Sequence, residues 1–303
     1  MDAYFDIFSG ISGNMILGAL IDLGVEVSDL EKELDKLGIS NEYKIKTEKV
    51  NKNGIGGTYV EVELMEKNHT HLSKENIEDQ SSSHNHKHDH DHDHTHEHNH
   101  NHDHQPTHSH MKKNNKSREK DNPNHNHRHG RNLDSINNLI GNSDLSEFVK
   151  EKSKEIFLNL AKAEGKIHGK DINEIHFHEV GAVDAIVDIV GSVIGMGILG
   201  IENIYVSPIN TGTGFVNCEH GKIPVPAPAT LELLKGFPIY STGIKKELVT
   251  PTGAAVITTL TDNFGNRPEM EIERTGYGAG SYELEIPNML RVNLGKFNNQ
   301  KKN

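Results

Sequence analysis

Residues 3–24 read AYFDIFSGISGNMILGALIDLG. The apolar run over 2–8 reads as a short buried strand, SGISG (9–13) as a loop, and NMILGALIDLG as a helix by the spacing of its apolar residues. A strand, a glycine-containing loop and a helix start make a place where backbone N–H groups can hold an anion. Ser9, Gly10, Ser12 and Gly13 are the candidate contacts. The loop matches neither the Walker pattern nor the dinucleotide fingerprint, so a tight turn with an N-cap is the competing reading.

Outward from this unit, SDLEKELDKLG (28–38) reads as a second helix, with Ser28 as N-cap and Gly38 as its stop. Residues 42–50 and 57–65 alternate apolar and polar side chains, as two strands joined by the turn NKNGIGG. From 66 to 132 the chain is low in complexity, and its run HNHKHDHDHDHTHEHNHNHDH offers nothing apolar to bury, so the segment reads as disordered. Amphipathic helical spacing returns over about 145–167, and a buried helix follows Gly181. Strands are expected over 203–209, 213–217, 269–276 and 289–294, with helices opening at PAPAT and TPTG. The expected class is α/β or α+β: mixed sheets with packed helices, interrupted by the His-rich insertion. The expected units are 1–65, 66–132 and 133–303.

Composition removes several function classes. The 303 residues carry 32 Lys+Arg against 44 Asp+Glu, a formal charge of −12. That balance argues against a general nucleic-acid binder, which needs a basic face. Aromatics are 5% and Trp is absent, so stacking platforms are poorly supplied. A single Cys, Cys218, excludes an intrachain disulfide and a Cys-only zinc site. The start of the chain lacks a basic, then long apolar, leader, and the apolar segment 180–201 carries Asp184 and Asp188. It reads as a buried helix rather than a membrane span, and a cytoplasmic location is expected.

Of 22 histidines, 18 lie between His69 and His129. In the densest run His86, His88, His90, His92, His94, His96, His98, His100, His102 and His104 alternate with polar or acidic residues. Imidazole suits Ni, Cu, Zn and Co, and a flexible repeat offers many similar sites, which suits capture or buffering. The other reading is a solvated, pH-sensitive linker.

A second constellation is His176-Phe177-His178-Glu179, then Asp184 and Asp188. On extended backbone His176 and His178 share a face and can chelate one ion. On a helix Asp184 and Asp188 share a face, and carboxylates on an apolar helix are costly unless paired, hydrated or metal-bound. The alternative is a helix start with Glu179 near its positive end and two satisfied polar residues. A third stretch, TGTGFVNCEHGKIPVPAPAT (211–230), offers His220 as a ligand and Lys222 for an anion; Arg274 and Arg291 are candidate carboxylate or phosphate forks.

Taken together, FDIFSGISGNMILGALIDLG, IHFHEVGAVDAIVDIVG, the GTG–HG–PVPAPAT block, ELVTPTGAA and the GYGAG–PNMLRVNLG ending resemble the LarC family of nickel insertion proteins. The likeness runs in order from Asp2 to about Gly295, and a His tract is typical of that family. It implies CTP-dependent, lyase-type insertion of Ni(II) into pyridinium-3,5-bisthiocarboxylic acid mononucleotide. The product is the nickel-pincer cofactor of lactate racemase-type enzymes. The resemblance fixes these motifs rather than the roles within them; for the reaction it implies, His176, His178 and His220 are the candidate nickel ligands, and Glu179, Asp184 and Asp188 the candidate base or supporting carboxylates. The SGISG loop, Lys222, Arg274 and Arg291 would hold the anionic precursor. A nickel-pincer enzyme is the expected recipient, and self-association into a homo-oligomer is expected.

Two departures stand out. Asn14 occupies a position that is Asp in the family's usual motif. Longer members continue into a C-terminal domain that binds the cytidine nucleotide with a divalent metal. This chain is therefore expected to be the N-terminal part, with a separate chain as one source of that domain. The alternative function is nickel storage or delivery without chemistry.

Overall fold

The computed structural model describes residues 1–65, 131–175, 177, 183–218 and 221–298. The expected disorder of the His-rich segment falls on residues 66–130, outside them. In chain order the elements are β1 (Asp2–Asp6), α1 (Gly13–Asp22), α2 (Val27–Leu34), β2 (Tyr43–Lys52), β3 (Ile55–Leu64), α3 (Leu133–Gly141) and α4 (Glu147–His168). Then come α5 (Val183–Ile198), β4 (Asn203–Val206), β5 (Ile209–Asn210), β6 (Phe215–Cys218), β7 (Gly221–Pro224), α6 (Pro228–Leu233), β8 (Ile239–Tyr240), α7 (Pro251–Leu260), β9 (Asn263–Phe264), β10 (Met270–Ala279) and β11 (Met289–Phe297).

Seven strands form one mixed sheet in the order β2-β3-β10-β11-β1-β4-β9. The expected mixed α/β class is thus present. Strand β1 lies antiparallel to β11 and parallel to β4. Described residues before and after the His-rich segment complete this sheet together, so neither stretch closes it alone. Two short pairs stand apart: β5 with β8, and the β6–β7 hairpin.

Strand alternation sorts the faces. Ala3 and Phe5 are fully buried toward the helices, while Tyr4 and Asp6 take the other face. Helix α1 lies on β3, β10 and β11. Its approach is so close that a Cβ on Gly278 would sit 1.8 Å from the Met15 carbonyl oxygen. Helix α5 packs beside α1, α2 leans on α5, and α4 and α7 close the core behind it.

Several boundaries differ from the sequence reading. Helix α2 begins at Val27, one residue before Ser28, so Glu26 is its N-cap and Ser28 is not. The expected long turn 51–57 is a two-residue turn at Asn53-Gly54, both at positive φ, and the flanking strands run further toward it. The strand expected over 203–209 is split into β4 and β5 at Ser207-Pro208. Pro208 has no N–H for a ladder, and the Ser207 hydroxyl instead accepts from Ile7 N–H at 2.8 Å.

The described residues on either side of the His-rich segment meet at Glu42. Met65 N–H donates to the Glu42 carbonyl at 2.8 Å, and Arg131 Nη2 lies 3.0 Å from each Glu42 carboxylate oxygen. Among the described residues no helix is long and apolar enough to cross a membrane.

Candidate functional site

The loop after β1 gathers the motif-bearing segments. Gly10 has φ +86°, and a Cβ there would lie 1.9 Å from the Leu248 carbonyl oxygen, so only glycine fits. Ile11 exchanges backbone hydrogen bonds with the 248–250 segment: its N–H donates to Leu248 O at 2.8 Å and its carbonyl accepts from Thr250 N–H at 3.1 Å. Thr250 caps α7, its Oγ1 accepting from Gly253 N–H at 3.1 Å. A Cβ on Gly253 would be 2.5 Å from Ile11 O, so the start of α7 abuts the loop.

Ser9 is fully buried and its Oγ has no hydrogen-bond partner. Its carbonyl accepts from Asn288 Nδ2 at 3.2 Å, and Asn288 Oδ1 accepts from Tyr282 N–H at 3.0 Å. The GYGAG and PNMLR stretches are thereby clasped to SGISG. Ser12 is the N-cap position of α1, but its hydroxyl donates to Asn14 Oδ1 at 2.6 Å rather than capping the helix. Asn14 Nδ2 donates to Val60 O at 3.3 Å, a bond that an unprotonated carboxylate cannot make.

Helix α5 supplies the charge. Gly13 meets Asp188, Leu17 meets Gly191 and Leu20 meets Gly195, so α1 and α5 run side by side in the same direction. Both N-termini therefore lie at one end. A Cβ on Gly13 would be 2.4 Å from Asp188 Oδ2. Asp184 is one turn nearer the start of α5. The Oδ1 atoms of Asp184 and Asp188 are both buried without a hydrogen-bond partner among the described residues. Burial first, and the Asp184 charge second, push the Asp188 carboxyl up to about 8.

Immediately upstream, Ile175 is extended and buried, and Phe177 is buried 6.4 Å from Phe157 of α4. His176, His178, Glu179, His220 and the tract histidines from His86 to His104 lie outside the described residues. Among the described residues no three His, Cys, Asp or Glu side chains group as a metal site.

The remaining candidates are dispersed. Arg291 sits at the carboxyl end of β1, where its Nε donates to Asp6 Oδ2 at 3.1 Å, a second bond joins the same oxygen, and its guanidinium lies 5.8 Å over Phe8. Arg274 is at the far end of α1, where it donates to the Leu23 carbonyl at 2.7 Å and caps the helix. Lys222 lies in the β6–β7 hairpin with its ammonium 5.1 Å over the Phe215 ring. The described contacts bring neither Arg274 nor Lys222 to the loop.

Sequence reasoning passed over Asn288 and Thr250 as individual residues, although it quoted the motifs that contain them. It also passed over Asn210, whose Nδ2 donates to Phe8 O at 2.8 Å.

A family model described as "Nickel insertion protein" matches residues 3–303. A pyridinium-3,5-bisthiocarboxylic acid mononucleotide nickel insertion protein of Desulfitobacterium hafniense is 44% identical over 99% of this chain and 60% of its own length. The Clostridium kluyveri protein of the same name is 42% identical over 97% of this chain and 61% of its own. A putative nickel insertion protein of Maridesulfovibrio salexigens is 48% identical, over 98% and 63%. The chain thus spans about 60% of the length of the curated relatives it matches. No solved structure matches it. On the match along its whole length, the chain belongs to the nickel insertion protein family.

Proposed function

We propose that this chain carries out, or contributes the nickel-handling half of, insertion of Ni(II) into pyridinium-3,5-bisthiocarboxylic acid mononucleotide. The observation that carries the reading is the carboxylate pair Asp184 and Asp188 on one face of α5, each with a buried Oδ1 that has no hydrogen-bond partner among the described residues, and with Asp188 against Gly13 at the shared N-terminal end of α1 and α5. It lies directly after the His176–Glu179 motif in sequence and beside the loop whose geometry suits an anion. Nickel is the cargo, held by His176 and His178, with Glu179 as third ligand or base. His220 and the tract histidines supply it.

The chemistry exchanges a proton for the metal. The ring C–H between the two thiocarboxylates loses its proton to a carboxylate, and the freed electron pair forms the Ni–C bond while the two sulfurs coordinate. Glu179 is the first candidate to take that proton, with Asp184 and Asp188 as supporting carboxylates and the Asp188 carboxyl held above its usual range by burial. Helix N-termini at the SGISG loop attract the phosphate of the precursor. Arg291, already oriented by Asp6, offers its remaining N–H groups to a thiocarboxylate oxygen of the precursor. CTP dependence, a divalent metal alongside it, lyase-type classification, hand-over to a nickel-pincer enzyme and self-association belong to the same proposal.

The test is nickel binding by equilibrium dialysis on protein lacking residues 69–129, with and without His176→Ala/His178→Ala and Asp188→Asn. One discrete site that the double His variant abolishes supports the reading. No site in the shortened protein, with capacity residing in the tract, would turn the assignment to storage and delivery.

A further inference from the structure

We propose that the groove between α4, α6 and α7 is a second ligand site, which takes a small anion bearing a flat apolar group, of nucleoside monophosphate size. The groove has a volume of about 340 Å3 and is lined by Asn159, Lys162, Lys166, Glu232, Phe237 and Thr258 among others. That volume is at the lower end of small-molecule pockets. It is separate from the SGISG site: α7 meets the loop at Thr250, whereas Thr258 is two turns further along the helix.

Charge selects the ligand. Lys162 and Lys166 are one turn apart on the same face of α4. Lys166 Nζ binds Glu232 Oε1 at 2.6 Å and Lys235 Nζ binds Glu232 Oε2 at 2.5 Å, so both carboxylate oxygens are engaged. Those bonds hold the Glu232 carboxyl below its usual range, so it stays ionised at neutral pH. Lys162 has no ion-pair partner among the described residues. Two ammoniums and one carboxylate thus line the groove, in a chain whose formal charge is −12. The excess positive charge favours an anion.

Shape and polarity narrow the class. Leu233 and Phe237 give an apolar wall, and the Phe237 ring is fixed by Phe264 at a centroid distance of 5.1 Å. Asn159 Nδ2 donates to Thr259 Oγ1 at 3.0 Å, which leaves its Oδ1 as an acceptor. A bare inorganic anion uses the ammoniums but not the wall. A neutral nucleoside uses the wall but not the ammoniums.

The experiment is calorimetric titration of metal-free full-length chain at low salt with adenosine monophosphate, adenosine and inorganic phosphate. Adenosine monophosphate is expected to bind at one site per chain, more tightly than either control. Lys162→Glu, an exposed charge reversal, is expected to weaken it about tenfold. Asp188→Asn is expected to leave it unchanged. No binding, or equal binding by Lys162→Glu, overturns the site. Phosphate binding as tightly as the nucleotide overturns the flat-group assignment. Binding lost in Asp188→Asn but kept in Lys162→Glu places the nucleotide at the SGISG loop, which overturns this inference and leaves the nickel reading standing.

Discussion

Replacing Asp188 by Asn tests the carboxylate pair without touching its shape. The wild-type carboxyl is raised from 3.8 to about 8 by burial and then by Asp184. Between those two values the unfolded chain has released the proton while the folded chain keeps it. The unfolded state then binds fewer protons, so stability falls as pH rises through this window. A shift of about four units at about 1.4 kcal/mol each sets an upper bound of about 6 kcal/mol, reached above the folded value. At pH 7, three units into the window, the bound is about 4 kcal/mol.

An Asn side chain is neutral throughout, so this slope vanishes. The new amide adds a pH-independent cost of about 1–3 kcal/mol for an N–H group facing Gly13 without a partner. The assay is urea denaturation of metal-free wild type and Asp188→Asn at pH 5, 6, 7 and 8. The variant is expected to be the less stable at pH 5 and to gain on the wild type by up to about 1.4 kcal/mol per pH unit. A stability difference that stays constant from pH 5 to 8 would refute the reasoning, because the carboxyl would then titrate alike in both states.

Gly278→Ala drives a methyl to 1.8 Å from Met15 O, so urea melts should show a loss of about 3 kcal/mol, as severe overpacking does. Arg274→Met removes the 2.7 Å bond to Leu23 O at the end of α1; the melt should shift by about 1 kcal/mol while nickel stoichiometry by dialysis stays unchanged. Thr250→Val deletes the α7 cap beside Ile11 and is expected to lower stability by about 1–2 kcal/mol in the same assay. Excision of residues 66–130 across a short glycine linker should retain the circular dichroism spectrum and melting cooperativity, because both ends are tied to Glu42, while metal analysis shows most nickel capacity gone.

Much of the fold was legible from local pattern. Apolar spacing marked α1, α4 and α5, and alternation marked β2 and β3, since these are properties of a few consecutive residues. The family likeness came from the same motifs in the same order. Boundaries shifted where a neighbour far in sequence intervened, as Ile7 does at Ser207. The strands β7, β8 and β9 went unread because two to four residues carry too little pattern; each exists by virtue of its partner strand.

The site divides along the same line. That Asp184 and Asp188 share a face follows from the helix period alone, and the expectation that His176 and His178 share one rests on the strand period in the same way. That Asp188 meets Gly13, that Asn288 clasps Ser9, and that Arg274 serves the opposite end of α1 follow only from the packing of helices and the order of strands. Periodicity is encoded between residues a turn apart. Which loops meet depends on how seven strands and the helices over them close a common core, and no local spacing records that.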